Sequence, residues 1–208
     1  MKLFDHDDFV DHEQVVFCHD KASGLRSIIA IHNTNRGPAL GGCRMWNYAG
    51  EAEALEDALR LSRGMTYKAA IADLALGGGK SVIMGDAKKD KSDALIKAFG
   101  RSIDWLNGRY ITAEDVGTTV ADMDAIKTVT NHVVGVTGGA GDPSNSTAHG
   151  VFFGIQAAVR HKLGRDSLKG LHVAVQGVGH VGWFLCEYLH EAGATLTVTD
   201  ISQKALDR

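Results

Sequence analysis

The chain has 208 residues; 22 Lys and Arg face 25 Asp and Glu for a formal net charge of −3, and 44% of residues are apolar with only two prolines. Such a composition supplies a hydrophobic core for one large or two small domains and excludes a disordered, collagenous or low-complexity chain. There is no basic block and no apolar run near the ~20 residues of a membrane span, so neither nucleic acid nor membrane is an expected partner.

The opening MKLFDHDDFVDHE is acidic, without the basic lead of a signal segment, and a cytoplasmic protein is expected. Residues 14–18 and 25–32 are rich in Val and Ile with the turn-like DKASG between them, and they predict an antiparallel hairpin. LGGCRMW at 40–46 offers a third strand. From Glu51 to about Ala72 the spacing turns helical, with Leu55, Ala58, Leu59, Ser62, Met65 and Ala69 on one side and Glu53, Glu56, Arg60 and Arg63 on the other. Gly77, Gly78 and Gly79 then precede a strand SVIMG, a helix from about Ser92 to Trp105, a strand RYITA and a helix from about Val120 to Val129. A Gly-rich link at 135–146 breaks the pattern before a helix over about 147–161.

After the polar KLGRDSLKG the organisation sharpens into an apolar strand LHVAVQ, the turn GVGHVG, a helix carrying Phe184, Leu185, Tyr188 and Leu189, and a strand TLTVTD ending in Asp200. Strand, glycine turn, helix and strand within about 30 residues form the βαβ dinucleotide unit. In it Gly177 permits the tight turn, Gly179 lets a pyrophosphate approach the backbone and Gly182 lets the helix pack on the strand, with phosphates at the helix N-terminus. Asp200, 18 residues after Gly182, suits the two ribose hydroxyls and repels a 2′-phosphate, so NAD is expected rather than NADP. Only eight residues follow Asp200, too few for a doubly wound sheet, and a fragment of a longer polypeptide is expected.

Three polar residues in the first half stand where apolar packing is expected. Lys68 joins the edge of the apolar helical stripe, so it must snorkel or find a buried anion. Lys80 follows three glycines and precedes Val82, Ile83 and Met84, a setting in which a ligand can approach and an amine loses solvent. Asp115 lies just past RYITA, at the strand end where open sheets meet ligands. Each also fits a plain structural role, and spacing alone does not decide. Cys18, Cys43 and Cys186 form an odd set without CxxC spacing and read as buried free thiols; the ten histidines contain no HxxxH pair, and no metal is expected.

Together MTYKAA (65–70), LGGGKSVI (76–83), TAEDVGTTVADMD (112–124), Gly41 and Gly42 in PALGGCRM, STAHGV (146–151) and QGVGHVG (176–182) closely resemble the amino-acid dehydrogenases acting on Glu, Leu, Phe or Val, the leucine branch most of all. The resemblance implies an α/β substrate domain over 1–138 and an incomplete Rossmann NAD-binding domain over 139–208. It makes Lys80 and Asp115 catalytic, and it assigns the substrate carboxylate to Lys68 with the Gly41 and Gly42 backbone. Leu40, Met65 and Ala113 then belong to the amino-acid site, while Gly177, Val178, Gly179, His180, Val181, Gly182, Asp200 and Thr147 contact the cofactor. His180 stands where the family commonly has Asn, Cys43 where Thr is usual and Asp73 where Gly is common.

The implied reaction is NAD-dependent oxidative deamination of an L-amino acid to the 2-oxo acid and ammonia, and its reverse. Apart from the resemblance, the predicted hairpin offers open edges that a second subunit could cover, and a homo-oligomer is expected. Glutamate-specific relatives carry a lysine at the place of Leu40, and an apolar residue there would leave a side-chain carboxylate unpaired. An aliphatic substrate is therefore expected, with phenylalanine as the alternative because Ala113 is small. Two other readings are a non-catalytic amino-acid or dinucleotide-binding module and a two-domain NAD enzyme that releases no ammonia.

Overall fold

Residues 3–139 and 141–208 are described by a computed structural model of the chain; Met1 and Lys2 of the acidic opening, and Ala140 of the Gly-rich link, lie outside the described residues. Two compact units divide after Gly141, inside that link.

The first unit is built on a five-stranded sheet. Strands β1 (Gln14–Asp20) and β2 (Leu25–Asn33) form the expected antiparallel hairpin, with Phe17 opposite Ile28. The strand expected at 40–46 is β3 (Ala39–Trp46), but it does not extend the hairpin. β4 (Gly77–Met84) takes the place beside β2, antiparallel to it, while β3 lies parallel to β4 on one side and to β5 (Tyr110–Glu114) on the other. The order is therefore β1-β2-β4-β3-β5.

Helix α1 (Glu51–Ile71) has Glu51 and Glu53 in its first turn and Lys68 in its last, charges that oppose its macrodipole. It ends before Asp73, whose φ of +51° is left-handed backbone and gives a physical reason for glycine to be common there. Its buried Ala54, Leu55, Ala58 and Leu59 pack on Ile28, Ala30 and Val82 of one sheet face. The opposite face carries Ile29, Ile31, Cys43, Met45, Ile83 and Tyr110. It is covered by α2 (Asp93–Asp104), capped by Ser92 accepting from the Leu95 N–H, and α3 (Val120–Lys127), opened by a capping box of Thr119 and Asp122.

The triple glycine, expected to leave space for a ligand, is instead part of β4 and serves packing. A side chain at Gly78 would collide with the backbone of Thr66 on α1, and a Cβ at Gly79 would stand 2.7 Å from the Tyr110 ring. Burial of the thiols also differs: Cys43 is buried, whereas Cys18 and Cys186 are only partly so, and all three are free. No described helix is long and apolar enough to cross a membrane.

In the second unit α4 (Ser144–Leu163) begins three residues before the expected start, which puts Thr147 in its first turn. Strands β6 (His172–Gln176) and β7 (Thr195–Thr199) pair in parallel and are joined through α5 (His180–Glu191), as the βαβ pattern requires. Val175, Leu189, Leu168 and Ala194 form its core, with Phe152 and Ile155 of α4 packed against them.

Candidate active site

Side chains alternate across a strand, and paired residues of neighbouring strands share a face. Lys80 pairs with Ala30, so it lies on the α1 face with Gly78 and Val82. Leu40 pairs with Gly78 and with Ile111, and Gly42 with Ala113, so Leu40, Gly42, Arg44, Ala113 and the following Asp115 continue the same face. α1 packs mainly over β2 and β4, and Leu40, Arg44, Ala113 and Asp115 stay half-buried beside it.

On this face Lys80 and Asp115 meet. Lys80 Nζ donates to Asp115 Oδ2 at 2.6 Å, with the lysine side chain only 7% exposed. The turn carrying Asp115 is pinned: its N–H donates to Thr118 Oγ1 at 3.0 Å, Thr118 Oγ1 donates to the Cys43 carbonyl at 2.9 Å, and the Met45 N–H donates to Val116 O at 2.8 Å. Gly42 leaves it room, since a Cβ there would stand 2.8 Å from that of Asp115. Burial pushes the Asp115 carboxyl up, but the Lys80 ammonium, the hydrogen bonds from Lys80 and the Val116 N–H, and the Arg44 guanidinium outweigh it and hold the group below its ordinary range. The site therefore presents an ionised carboxylate against a buried amine, a pair able to pass a proton.

Gly41 and Gly42 stay in register with β5, but their ladder to β4 lapses opposite Gly79 and Lys80. The Tyr110 phenol rises from the other face and donates to Gly41 O at 2.6 Å, with Ser81 Oγ 2.9 Å from the phenol oxygen. Burial pushes the Cys43 thiol up to about 12, which removes it as a nucleophile. Lys68 has no buried anion: it is exposed in the last turn of α1, and no described residue pairs with it. Met65 is half-buried on the same helix.

Arg44 carries no periodic signal and was not expected in the site. Its Nε donates to Asp115 Oδ2 at 3.1 Å and its Nη1 to Asp57 Oδ2 at 2.9 Å. Its parity with Leu40 and Gly42 on β3 is the one sequence feature that points to it. A cavity of about 640 Å³ opens beyond it, lined by Arg44, Trp46, Tyr48, Asp57, Arg60 and Val116 among others, but not by Lys80 or Asp115.

In the second unit Gly177 has a φ of +90°, as a tight turn demands, and a side chain at Gly182 would collide with the Gly177 carbonyl oxygen. Gly179, at the start of α5, has open space where a Cβ would be; no side chain caps this helix, and its first turn holds no acid. These features fit an anionic group at the helix end. Val178 is buried, Val181 half-buried, and His180 exposed with Nδ1 3.8 Å from Asp142 Oδ2. Asp200 Oδ2 accepts from the Val178 N–H at 2.9 Å and Oδ1 from the Ser202 N–H at 2.8 Å, bonds that hold its carboxyl below the usual range. Gln176, Gly177, Thr199, Asp200 and Ile201 line a cavity of about 200 Å³ at the ends of the two strands.

Two family models match the chain. Residues 12–132 match the Glu/Leu/Phe/Val dehydrogenase dimerisation domain, and residues 138–204 match Glutamate/Leucine/Phenylalanine/Valine dehydrogenase. The chain belongs to the Glu/Leu/Phe/Val dehydrogenase family. It is 60% identical to leucine dehydrogenase of Geobacillus stearothermophilus over 100% of this chain and 58% of that protein. Against phenylalanine dehydrogenase of Lysinibacillus sphaericus the identity is 52%, over 95% of this chain and 52% of that one. The crystal structure of L-tryptophan dehydrogenase from Nostoc punctiforme is 47% identical with a TM-score of 0.67, covering 95% of this chain and 57% of that one. The chain thus spans little more than half the length of these relatives.

Proposed function

We propose that this chain carries the substrate domain, 1–138, and part of the nucleotide-binding domain, 139–208, of an NAD-dependent dehydrogenase. It would deaminate an aliphatic L-amino acid to the 2-oxo acid and ammonia, and catalyse the reverse. The observation that carries this reading is the buried Lys80 ammonium donating to Asp115. A mere binding module needs an anchor for the substrate carboxylate but no proton-passing pair.

In this reading the nucleotide supplies the hydride acceptor, and the protein supplies position and protons. Exposed, and paired with no described residue, Lys68 is available to bind the α-carboxylate, joined by the Gly41 and Gly42 backbone where the ladder to β4 lapses. Asp115 holds the amino group, and Lys80, once its ammonium has released a proton, takes as the neutral amine the proton of the water that attacks the imino carbon. Leu40, Met65 and Ala113 form the apolar side-chain subsite. Leu40 favours an aliphatic side chain over a carboxylate, in keeping with the 60% identity to a protein named leucine dehydrogenase. The small Ala113 keeps phenylalanine as the second candidate.

The phosphates would meet Gly177–Gly182 and the start of α5, with Val178, His180 and Val181 beside them and Thr147 near the nicotinamide. Asp200 faces the ribose, and its charge supports NAD over NADP. The open β1 edge of the sheet, in a region matching a dimerisation domain, supports a homo-oligomer. The deciding experiment is an absorbance assay of the full-length protein with NAD and a panel of L-amino acids, with ammonia measured in parallel. Reduced nucleotide and ammonia should appear together, fastest with leucine or another branched substrate. Nucleotide reduction without ammonia, or no turnover of any amino acid, refutes the reading.

A further inference from the structure

We propose that Arg44 is a positioning residue for Asp115, a guanidinium clamp held in place by Asp57 of α1 and Tyr48 of the loop after β3. The proposal rests on reading Lys80 and Asp115 as the reacting pair. Lys80 Nζ and Arg44 Nε converge on the same oxygen, Asp115 Oδ2, at 2.6 and 3.1 Å. An ammonium is a point charge that fixes distance but not direction. A planar guanidinium fixes direction as well, provided its own plane is fixed.

Arg44 meets that condition. Its Nη1 donates to Asp57 Oδ2 at 2.9 Å, and the Tyr48 hydroxyl donates to the same oxygen at 2.7 Å. Burial and the Asp57 carboxylate push the Tyr48 phenol upward, so it remains a donor at every working pH. Asp57 is thus held by two donors and Arg44 by two acceptors. The side chains of Arg44, Asp57 and Asp115 are each about one-quarter exposed, which sets them apart from freely solvated surface pairs.

The charged groups around Asp115 are Lys80 from β4 and Arg44 from β3, with Asp57 of α1 behind the guanidinium. In the loop beyond, Lys91 donates to Gly117 O and pairs with Asp122 of α3, so that pair is satisfied within itself. Removing Arg44 leaves Asp115 with a single cationic donor and frees the carboxylate to turn about it. A small misplacement of a reacting group costs up to about 100-fold in rate.

The test uses Arg44→Met, Arg44→Lys and Asp57→Asn in the full-length protein. Each is followed by the carboxyl ¹³C titration of Asp115, by kcat and KM for the amino acid, and by circular dichroism. Arg44→Met should raise the Asp115 titration midpoint and lower kcat by about 30-fold with KM within about 3-fold of wild type. Arg44→Lys should restore most of the titration shift but little of kcat, because it returns charge without the planar fork. Asp57→Asn should lower kcat by about 5-fold, an intermediate loss expected from loosening a clamp that retains its charge.

An unmoved titration with wild-type kcat in Arg44→Met overturns the proposal. So does full recovery of kcat by Arg44→Lys, or a rise in KM at constant kcat, which would make Arg44 a substrate contact. Should Arg44→Met fail to fold, Asp57→Asn decides, and wild-type kcat there overturns the clamp. A wild-type protein that turns over no amino acid refutes the dehydrogenase reading instead, and the Asp115 titration in the variants still judges the clamp.

Discussion

The two units hold their candidate sites by opposite means. In the first, the chemistry resides in side chains that constrain one another: Lys80, Arg44 and Asp115 on one sheet face, with Asp57 of α1 and Tyr48 of the loop after β3, form one chain of charge-assisted contacts. In the second, the backbone forms the site, through a glycine turn, an uncapped helix start and one carboxylate bonded to two main-chain N–H groups. Side-chain sites fail through lost charge or proton transfer, whereas backbone sites fail through lost shape. Substitutions in one unit should therefore spare what the other does.

The largest effect is expected from Lys80→Ala. It removes the amine and leaves a half-buried carboxylate with Arg44 as its remaining cationic partner, so turnover should fall about 1,000-fold or more while nucleotide affinity stays nearly intact. Steady-state kinetics beside calorimetric titration with NAD separates the two, and equal turnover in mutant and wild type would remove Lys80 from the chemistry. Gly182→Val is the counterpart in the second unit. Its new side chain would meet the Gly177 carbonyl oxygen, so nucleotide affinity should drop about 100-fold as the turn opens. The Lys80–Asp115 pair should titrate as before, and wild-type NAD affinity would mean that the close approach at Gly182 is dispensable.

The same contrast governs what could be read in the sequence. The hairpin, α1 and the βαβ turn are local patterns, set by alternation, helical spacing and glycine placement within a few tens of residues, and they were legible. The insertion of β4 between β2 and β3 was not, because strand order depends on pairings that cross the intervening α1. The packing role of Gly78 and Gly79 is hidden for the same reason: Thr66 and Tyr110 fill the space beside them, and nothing near the glycines in sequence announces it. Arg44 shows in the sequence only through its parity with Leu40 and Gly42, because its partners Asp57 and Asp115 lie 13 and 71 positions away. Lys80 and Asp115 could be suspected singly, as polar residues beside apolar strands, but only the β3 register brings them to the same face.

A smaller effect is expected at Asp200. Its carboxylate is engaged by the Val178 and Ser202 N–H groups, so Asp200→Ala removes both a turn anchor and a charge facing the ribose. NAD binding should weaken about 10-fold and discrimination against NADP should relax. The ratio of the two Kd values checks this, and an unaltered preference would reject the charge argument while leaving the turn argument standing.

The smallest effect tests whether the first unit's charges also contribute to its stability. Lys80 and Arg44 depress the Asp115 carboxyl in the folded state relative to the unfolded chain. The unfolded protein therefore binds more protons at this site over the window between the two values, and stability rises with pH there. The contribution is fully present above the unfolded value of about 4 and is lost as pH falls through the lower, folded value. Asp115→Asn should be less stable than wild type at neutral pH, because Lys80 loses its counter-charge. Its stability should then decline less steeply on acidification, so that the two proteins converge toward pH 2. Urea unfolding midpoints between pH 2 and pH 7 read this directly, and parallel curves would mean that the pair in the first unit is poised for chemistry without stabilising the fold.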